Sequence, residues 1–481
     1  MQDNGAPEPT ADPVELERKL QAQQAGLPEP GSEAQQVEGW TFVRKVAVAL
    51  SLALVVGYLV LWAQNVQQSG GPDGYIRGTE GRGPVDFISQ LTGALILNEG
   101  NGTRLYDLDI QRDAQNRIFE GYRPALTTAQ ILPFNHVPFE ALLLAPLMDL
   151  PYPLVFALWT LLSGVAVGMS LGMLDASIPV PRPVGWVMSL AACSYLPLIR
   201  GLMLGQNSAL VLLGLVGLYV SLKRGQYGWA GAWLALAALK PQVLPVVLLA
   251  VALMGYWRTL ATFAGILVGL TVLAMPFLGA SWPVEYARLL RGVANWGSTA
   301  AIDPGIMHNW RGFFANLLGQ GGEGLVLPLF VVMSVVSAGL VVWVWMRMRA
   351  QTRTEDEYGY EDDEPEDYSY RPRHDLYWAL VGVVAVLTSL HLNPHDLTLL
   401  IFPAWILGAY ATSGLWSARL SRGALALLWA GYAAGIGTLV AQREVVIPSV
   451  LIMVGVALFA ARQLVAERAD ESEARHLALS P

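Results

Sequence analysis

Several long apolar runs without a charged residue limit what this chain can fold into more than any other feature. Three of them, residues 46–63, 325–345 and 446–461, are 16 to 21 residues long. A helix of about 20 apolar residues crosses the hydrocarbon core of a bilayer. In the whole chain 54% of the residues are hydrophobic and 14% are charged, whereas soluble domains carry about 25% charged residues. The sequence therefore predicts an all-α polytopic membrane protein and excludes an ordinary soluble enzyme.

Lys and Arg residues near the ends of apolar segments predict the side of the membrane on which each loop lies, because short cytoplasmic loops are enriched in them. Arg44 and Lys45 precede the first apolar run and place the N-terminus in the cytoplasm. The segment 137–148 is too short to span, so we interpret it as a re-entrant or interfacial helix. Hydropathy then predicts about twelve spans, near residues 46–64, 153–174, 185–199, 204–222, 228–240, 242–256, 259–278, 325–346, 376–390, 395–411, 424–441 and 446–463.

This topology divides the chain into regions of different character. Nine carboxylates lie between Glu355 and Asp367, so the formal net charge of −8 reflects a solvated linker and indicates no nucleic-acid partner. Cys193 is the only cysteine, which leaves no intrachain disulfide. The regions are a disordered cytoplasmic tail (1–43), an N-terminal membrane region (44–346) with long extracytoplasmic loops at 65–135 and 279–324, an acidic cytoplasmic loop (347–375), C-terminal transmembrane helices (376–464) and a cytoplasmic tail (465–481).

Polar residues collect at the predicted outer ends of the spans and in the two outer loops. Charged groups at membrane depth cost about 2.5–3.5 kcal/mol each on insertion scales, so each requires an explanation. Because these residues share one face of the membrane, we expect them to converge on one extracytoplasmic cavity. The candidates are Asp86, Arg200, Gln206, Asn207, Lys240, His308, Asn309, His391 and His395.

Several of these candidates also have a structural explanation. Arg200 at a span end could extend its guanidinium to the interface, and Asp86 precedes an apolar stretch in the manner of a helix N-cap. Lys240 is harder to explain structurally, because the following proline breaks the helix beside its ammonium group. His391 and His395 have the spacing of metal ligands on a helix, but a proline lies between them. We therefore favour hydrogen bonding to an anionic substrate, or polar packing at a turn, over a metal site.

The order of short motifs along the chain resembles glycosyltransferase family 87. The motifs are DF at 86–87, LYD at 105–107, FNHVP at 134–138, GQN at 205–207, KP at 240–241 and HNWRG at 308–312. Members of that family are polyprenyl-phosphate-sugar-dependent mannosyltransferases of the GT-C superfamily. The resemblance covers roughly residues 80–400. It implies a GT-C-like helical fold with a long first extracytoplasmic loop.

The resemblance also implies a reaction. We expect inverting transfer of a sugar, with mannose the expected one, from a polyprenyl-phosphate donor to a lipid or glycan acceptor at the extracytoplasmic face of the cell membrane. Asp86 would be the general base, and 137–148 would line a groove for the lipid chain. No metal or other cofactor is expected, and the partners are the donor, the acceptor and membrane lipids. The substrate-binding residues would be Arg200, Gln206, Asn207, Lys240, His308, Asn309, His391 and His395.

Two other classes of function use the same residues differently. A transporter or flippase for a polyisoprenoid lipid or an amphiphile would bind a phosphate with these cations and leave Asp86 structural. The first outer loop, about seventy residues long with an early aspartate, disfavours a carrier, which does not need it. A membrane scaffold would act through the N-terminal tail and the acidic loop. Such a protein would lose its function when both segments are deleted, whereas a glycosyltransferase would retain its activity.

Overall fold

The computed structural model describes residues 51–52, 55–56, 59, 86–118, 125–128, 131–178, 180–293, 303–357, 371–441 and 443–466. This part of the chain is helical and contains no strand, as the sequence predicts. The predicted tail 1–43, most of the first span, residues 358–370 of the acidic loop and nearly all of the tail 465–481 lie outside the described residues. Their assignments therefore stay predictions.

The described helices are numbered in chain order. They are α1 (Phe87–Asn98), α2 (Leu108–Ile118), α3 (Pro138–Leu144), α4 (Tyr152–Ser177), α5 (Arg182–Cys193), α6 (Leu196–Leu204), α7 (Ser208–Lys223), α8 (Tyr227–Ala237), α9 (Leu244–Leu253), α10 (Trp257–Leu278), α11 (Trp282–Val293), α12 (Trp310–Leu318), α13 (Glu323–Glu357), α14 (Pro372–Leu387), α15 (Ile401–Thr412), α16 (Ala418–Val440) and α17 (Val446–Ala466). Short 3₁₀ turns cover Gly102–Arg104, Ala145–Leu147, Pro241–Val243, Pro304–Ile306 and Pro394–Leu400.

Four of the described helices, α4, α10, α13 and α17, are long and apolar enough to cross a membrane. The number rises to five if α5 and α6, which meet at a 48° bend, form one broken span. Predicted spans at 228–240 and 242–256 correspond to α8 and α9, which contain only 11 and 10 residues. The four long apolar helices support a membrane-embedded protein. The short helices α8 and α9 do not confirm a count of about twelve spans.

The predicted first outer loop is folded against the helices in the part that the structure describes. Nine of the twelve residues of α1 are buried. The Ser89 hydroxyl donates a 2.8 Å hydrogen bond to the carbonyl oxygen of Pro133. Phe134 lies so close to Gly93 that an added Cβ would stand 2.9 Å from the ring. The segment that contains Asp86 is therefore held firmly against the start of α3.

Helix α7 lies at the centre of the packing, since all 16 of its residues are buried. It packs most extensively against α8 and α4. The approach to α8 is close because α7 carries glycines on that side. A Cβ added at Gly214 would stand 2.6 Å from the backbone nitrogen of Ala237. Small residues allow two helix backbones to approach in this way, and this packing fixes the two turns that flank α7 and α8.

A buried ion pair joins the ends of α7 and α14. The Lys223 ammonium lies 2.9 Å from the Asp375 carboxylate, and both side chains are almost fully buried. The hydroxyls of Tyr219 and Tyr410 donate to the same carboxylate at 2.7 and 2.8 Å. Breaking such a pair by removing one partner typically costs about 3–5 kcal/mol. The cluster therefore ties α7, α14 and α15 together at the end remote from the 205–207 turn.

Candidate active site

A cavity of about 760 Å³ collects residues that are far apart in the sequence. Its polar wall comes from the segment before α1, the loop before α3, the turn before α7, the break between α8 and α9, the start of α12 and the turn before α15. Five of the nine candidates from the sequence line it: Asp86, Gln206, Lys240, His391 and His395. Further polar side chains in the lining include His136, Arg311, Asn393 and Asp396.

Asp86 precedes α1 and faces this cavity. Its backbone is helical, and its side chain makes no capping hydrogen bond to the first turn of α1. Instead, Oδ2 accepts a 2.7 Å hydrogen bond from Nε2 of Gln206. The structural alternative of a helix cap is therefore wrong for this carboxylate.

Burial raises the pKa of Asp86 above its ordinary value. The hydrogen bond from Gln206 and the charges of Lys240, Arg200 and His136 act in the opposite direction. A carboxylate with a raised pKa is a stronger base than a solvated one, which suits proton abstraction from a hydroxyl group.

Gly205 explains how the GQN motif reaches Asp86. It ends α6 in the left-handed conformation, with φ of 70°, which glycine adopts without strain. A Cβ at this position would lie 2.5 Å from Cβ of Phe87, the residue after Asp86. The Trp159 indole donates a 2.8 Å hydrogen bond to the carbonyl oxygen of Gly205 and holds the turn. Close packing of this turn against the start of α1 places Gln206 beside the carboxylate.

Lys240 occupies the helix break that its following proline predicts. Helix α8 ends at Ala237, and the 3₁₀ turn Pro241–Val243 separates it from α9. The Lys240 ammonium donates to the Asp396 carboxylate, and it lies 3.4 Å from Oε1 of Gln206. The Asp396 carboxylate also accepts a 2.7 Å hydrogen bond from the Ser208 hydroxyl. The ammonium is thus compensated by a buried anion from the polar segment HLNPHD at 391–396.

These contacts form a continuous polar chain across the cavity wall. It runs from Asp86 through both ends of the Gln206 amide to Lys240 and then to Asp396. Gln206 donates to the carboxylate with its nitrogen and accepts from the ammonium with its oxygen, so its orientation is fixed by both neighbours.

The two histidines of the HLNPHD segment both line the cavity. Burial lowers the pKa of His391 to about 4, so its ring is neutral at pH 7. Its Nε2 lies 3.4 Å from the Asn393 amide nitrogen. His395 is 4% exposed and lies 3.7 Å from the Asp396 carboxylate. His391 can donate or accept a hydrogen bond at neutral pH, but it does not supply a positive charge.

Two further candidates lie near the cavity but outside its lining. The charge of Arg200, on α6, lowers the pKa of Asp86. Asn207 is completely buried, and its amide donates a 2.5 Å hydrogen bond to the Glu140 carboxylate. Asn207 therefore contacts α3 rather than the cavity, so a direct role in binding substrate is not supported by its position.

His308 and Asn309 lie outside the cavity and are fully buried. His308 Nδ1 is 2.6 Å from the Ser449 hydroxyl, and burial lowers the pKa of His308 to about 4. The Asn309 side chain caps α12 by accepting from the Gly312 amide at 2.9 Å, and it donates to the Ser389 carbonyl oxygen at 2.6 Å. The structure gives both residues packing roles. Arg311 of the same motif is the one that lines the cavity.

One side of the cavity is apolar. It is lined from α9 and α13 by Pro245, Val246, Leu249, Phe330, Val331, Val335 and Ala338. On α13, Val331 and Val335 are 51% and 65% exposed, so this side of the cavity adjoins an exposed apolar surface of α13. The expectation that 137–148 forms the apolar groove is wrong for this cavity, because none of its residues is in the lining. That segment instead forms α3, which packs on α1.

The candidates selected from the sequence leave out His136, Ser208 and Asp396. Asp396 contacts Ser208 and Lys240, which lie 188 and 156 positions away, whereas His136 lies beside the buried Glu140. Asp396 could have been selected, because it stands beside His395 in a segment already identified as polar. Ser208 and Glu140 resemble ordinary first-turn residues of helices, and no local pattern distinguishes them.

Comparison with known proteins gives one family. Residues 134–357 match the family model described as Glycosyltransferase family 87. The matched segment includes Gln206, Lys240 and Arg311 but ends before His391 and begins after Asp86. The match supports that family and indicates a membrane glycosyltransferase. Comparisons with curated proteins and with solved structures give no match.

Proposed function

We propose that this membrane protein, similar over residues 134–357 to glycosyltransferase family 87, transfers mannose from a polyprenyl-phosphate donor to a hydroxyl of a lipid or glycan acceptor. The transfer inverts the anomeric configuration and takes place at the extracytoplasmic face of a multi-pass protein with about twelve spans. The observation that carries the proposal is the position of Asp86. Its carboxylate makes no capping hydrogen bond to α1 and lines a cavity that Lys240 and Arg311 also line.

Asp86 is the general base in this mechanism. The acceptor hydroxyl oxygen attacks the anomeric carbon of the donor while its proton passes to the Asp86 carboxylate. The bond between the anomeric carbon and the phosphate oxygen breaks, and its electron pair leaves with the polyprenyl phosphate. Gln206 holds the carboxylate with its 2.7 Å hydrogen bond and so orients the base toward the cavity. A positioned base typically contributes about 10²–10⁴ in rate.

The leaving phosphate gains negative charge as the bond breaks, and cations stabilise that charge when they are already in place. Lys240 and Arg311 line the cavity, and Arg200 contributes its charge from α6. Because Asp396 pairs with Lys240, donor phosphate competes with Asp396 for the ammonium. The rings of His391 and His395 donate hydrogen bonds to phosphate or sugar oxygens.

The apolar wall from α9 and α13 suits the lipid chain of the donor. It begins beside Lys240, and its far side includes the exposed residues Val331 and Val335. A polyprenyl chain on this wall remains in contact with lipid while its phosphate reaches Lys240. This arrangement brings a water-insoluble donor to a polar site without removing its chain from an apolar environment.

The proposal is tested with membranes that contain the protein, incubated with radiolabelled polyprenyl-phosphate mannose and extracted for labelled products. Wild-type membranes are expected to form a labelled lipid or glycan, and Asp86→Asn membranes are not. Asp109→Asn is the matched control, because it makes the same chemical change on an exposed carboxylate of α2. Binding of donor without any labelled product would contradict transfer and would favour a lipid carrier.

Sidedness has its own test in a Cys193→Ser background. Cysteine at position 109, on the described part of the first outer loop, is expected to react with an impermeant reagent in intact cells. Cysteine at position 360, in the acidic loop, is expected to react only after the membrane is opened. Labelling of position 360 in intact cells would overturn the orientation.

A further inference from the structure

The side-chain amide of Asn309, in the HNWRG motif, makes two hydrogen bonds of different kinds. Its oxygen accepts from the Gly312 amide at 2.9 Å and caps α12. A Cβ at Gly312 would collide with the carbonyl oxygen of Met307, so the tight turn that closes this cap requires glycine. The Trp310 indole donates a 2.9 Å hydrogen bond to the Ser337 hydroxyl on α13 and fixes the start of the helix. The cap therefore fixes the orientation of the Asn309 amide.

The nitrogen of the same amide binds a different segment of the chain. It donates a 2.6 Å hydrogen bond to the carbonyl oxygen of Ser389, 80 positions later, and both residues are fully buried. Helix α14 ends at Leu387, so the Ser389 carbonyl lies beyond the helix. A buried backbone carbonyl needs a hydrogen-bond partner. The hydrogen bond from Asn309 satisfies that need.

The residues that follow Ser389 lead directly into the cavity wall. The Ser389 hydroxyl donates a 2.9 Å hydrogen bond to the carbonyl oxygen of His391, which lines the cavity. Nη1 of Arg311, also in the HNWRG motif, lies 3.4 Å from the carbonyl oxygen of Leu390. No helix covers residues 388–393. Hydrogen bonds from side chains to the backbone therefore set the position of this stretch.

Resting on the proposed function, we propose that Asn309 is a positioning residue: through Ser389 it holds His391 at the cavity wall, where the imidazole binds the donor. Asn309 lies outside the cavity lining and acts only through the segment that it holds. Without the amide nitrogen, the Ser389 carbonyl would be buried without a donor, and the segment would have to shift to satisfy it. His391 would move with the segment, because the Ser389 hydroxyl bonds to its carbonyl oxygen.

A purely structural role for Asn309 would be the helix cap alone. The cap and the contact with Ser389 use different atoms of one amide, the oxygen and the nitrogen, so one substitution separates them. Serine is about as good an N-cap as asparagine, but it has no amide nitrogen. Asn309→Ser therefore keeps the cap of α12 and removes the hydrogen bond to Ser389.

Hydrogen–deuterium exchange of the purified protein in detergent tests the contact without an activity assay. Asn309→Ser is expected to raise exchange in residues 388–396 and to leave α12 as in wild type. Asn316→Ser is the matched control, because the Asn316 amide on the same helix donates at 2.8 Å to the carbonyl oxygens of Gly305 and Gly312 instead. The control is expected to leave residues 388–396 unchanged. Unchanged exchange there in Asn309→Ser would overturn the inference.

Transfer kinetics with radiolabelled polyprenyl-phosphate mannose test the effect on His391. Asn309→Ser is expected to raise the KM for donor by about three- to tenfold, the effect of one lost hydrogen bond, whereas Asn316→Ser is not. In a His391→Ala background, Asn309→Ser is expected to cause no further rise, because effects that pass through one shared contact are not additive. General damage to the fold would raise KM in both backgrounds. Additive rises in KM would therefore overturn the inference.

Ser389→Ala decides the question if Asn309→Ser does not fold. It removes the hydroxyl that bonds to His391 and leaves the backbone carbonyl in place. Its KM for donor is expected to rise in the same way, and equality with wild type would contradict the inference. A wild-type protein that transfers no sugar would contradict the proposed function only, because exchange still reports whether Asn309 holds the segment. Normal transfer with equal KM in Asn309→Ser and wild type would contradict this inference only.

Discussion

The side-chain amide of Gln206 donates a 2.7 Å hydrogen bond to the carboxylate of Asp86, 120 positions earlier in the chain. The other end of the same amide lies 3.4 Å from the Lys240 ammonium. One uncharged side chain thus joins the anion and the cation that the proposed reaction needs. Gly205 makes this contact geometrically accessible, because its left-handed backbone and missing Cβ let the turn lie against Phe87.

Asp86→Asn is expected to abolish transfer while preserving the fold. Asparagine has the same shape and still accepts from Gln206, but it cannot take up the acceptor proton, so the rate is expected to fall by about 10²–10⁴. Initial rates with labelled donor measure this effect, with Asp109→Asn as the exposed control. Turnover within about threefold of wild type would refute the role of base, since a lost base costs at least about 10².

The direction of the pKa shift of Asp86 also predicts the stability of Asp86→Asn. Because burial raises the pKa of Asp86, the native state binds more protons than the unfolded state between the unfolded pKa and the native one. The free energy of unfolding therefore decreases as pH rises through this interval. Burial of the ionised carboxylate therefore costs stability, and Asp86→Asn is expected to equal or exceed wild type in Tm. A marked fall in Tm would indicate a structural role for the carboxylate.

The pH dependence of transfer is expected to show an acid limb controlled by Asp86. The carboxylate must be ionised to accept a proton, and its pKa lies above the ordinary value. Activity is therefore expected to fall on acidification at a pH above that of a solvated aspartate, about 3.9. The pH profile of kcat/KM measures the limb in the free enzyme. An unchanged rate down to pH 4 would contradict the assignment.

Lys240→Ala is expected to reduce stability as well as donor binding. The substitution leaves the Asp396 carboxylate buried without its cation, which typically costs about 3–5 kcal/mol. The double variant Lys240→Met with Asp396→Asn removes both charges and is expected to recover much of the Tm. It is not expected to recover the KM for donor, because the ammonium is missing. Recovery of both quantities would mean that Lys240 serves the fold alone.

Gly205→Ala is expected to disrupt both stability and transfer. The new Cβ would meet Phe87 at 2.5 Å in a backbone with φ of 70°, and overpacking alone typically costs about 1–3 kcal/mol. Gly225→Ala is the matched control, because Gly225 has φ of 68° with open space around it. Gly225→Ala is therefore expected to show only the cost of placing alanine in a left-handed backbone conformation. Equal losses of Tm in the two variants would contradict a packing role for Gly205.

The sequence by itself determined the helical class and the association with a membrane. In lipid, the backbone groups of a long uncharged run must form their hydrogen bonds within the protein, and a helix does this within the run itself. Hydropathy is therefore sufficient for this conclusion. It also identified Asp86, Gln206, Lys240, His391 and His395, because polar groups at the ends of apolar segments are conspicuous against their surroundings. The break before Pro241 followed from proline chemistry and is found between α8 and α9.

Only the tertiary structure decided what each polar residue contacts. His308 and Asn309 carry the same polar groups as the cavity residues, yet packing directs them to Ser449 and Ser389. Lys240 gains its anionic partner from a turn 156 positions away, and no local pattern encodes that distance. The apolar wall comes from α9 and α13 rather than from 137–148. A hydrophobic run indicates that its residues will be removed from water. It does not indicate which helices they will contact, because the hydrophobic effect is non-directional and the contacts depend on how all the helices pack.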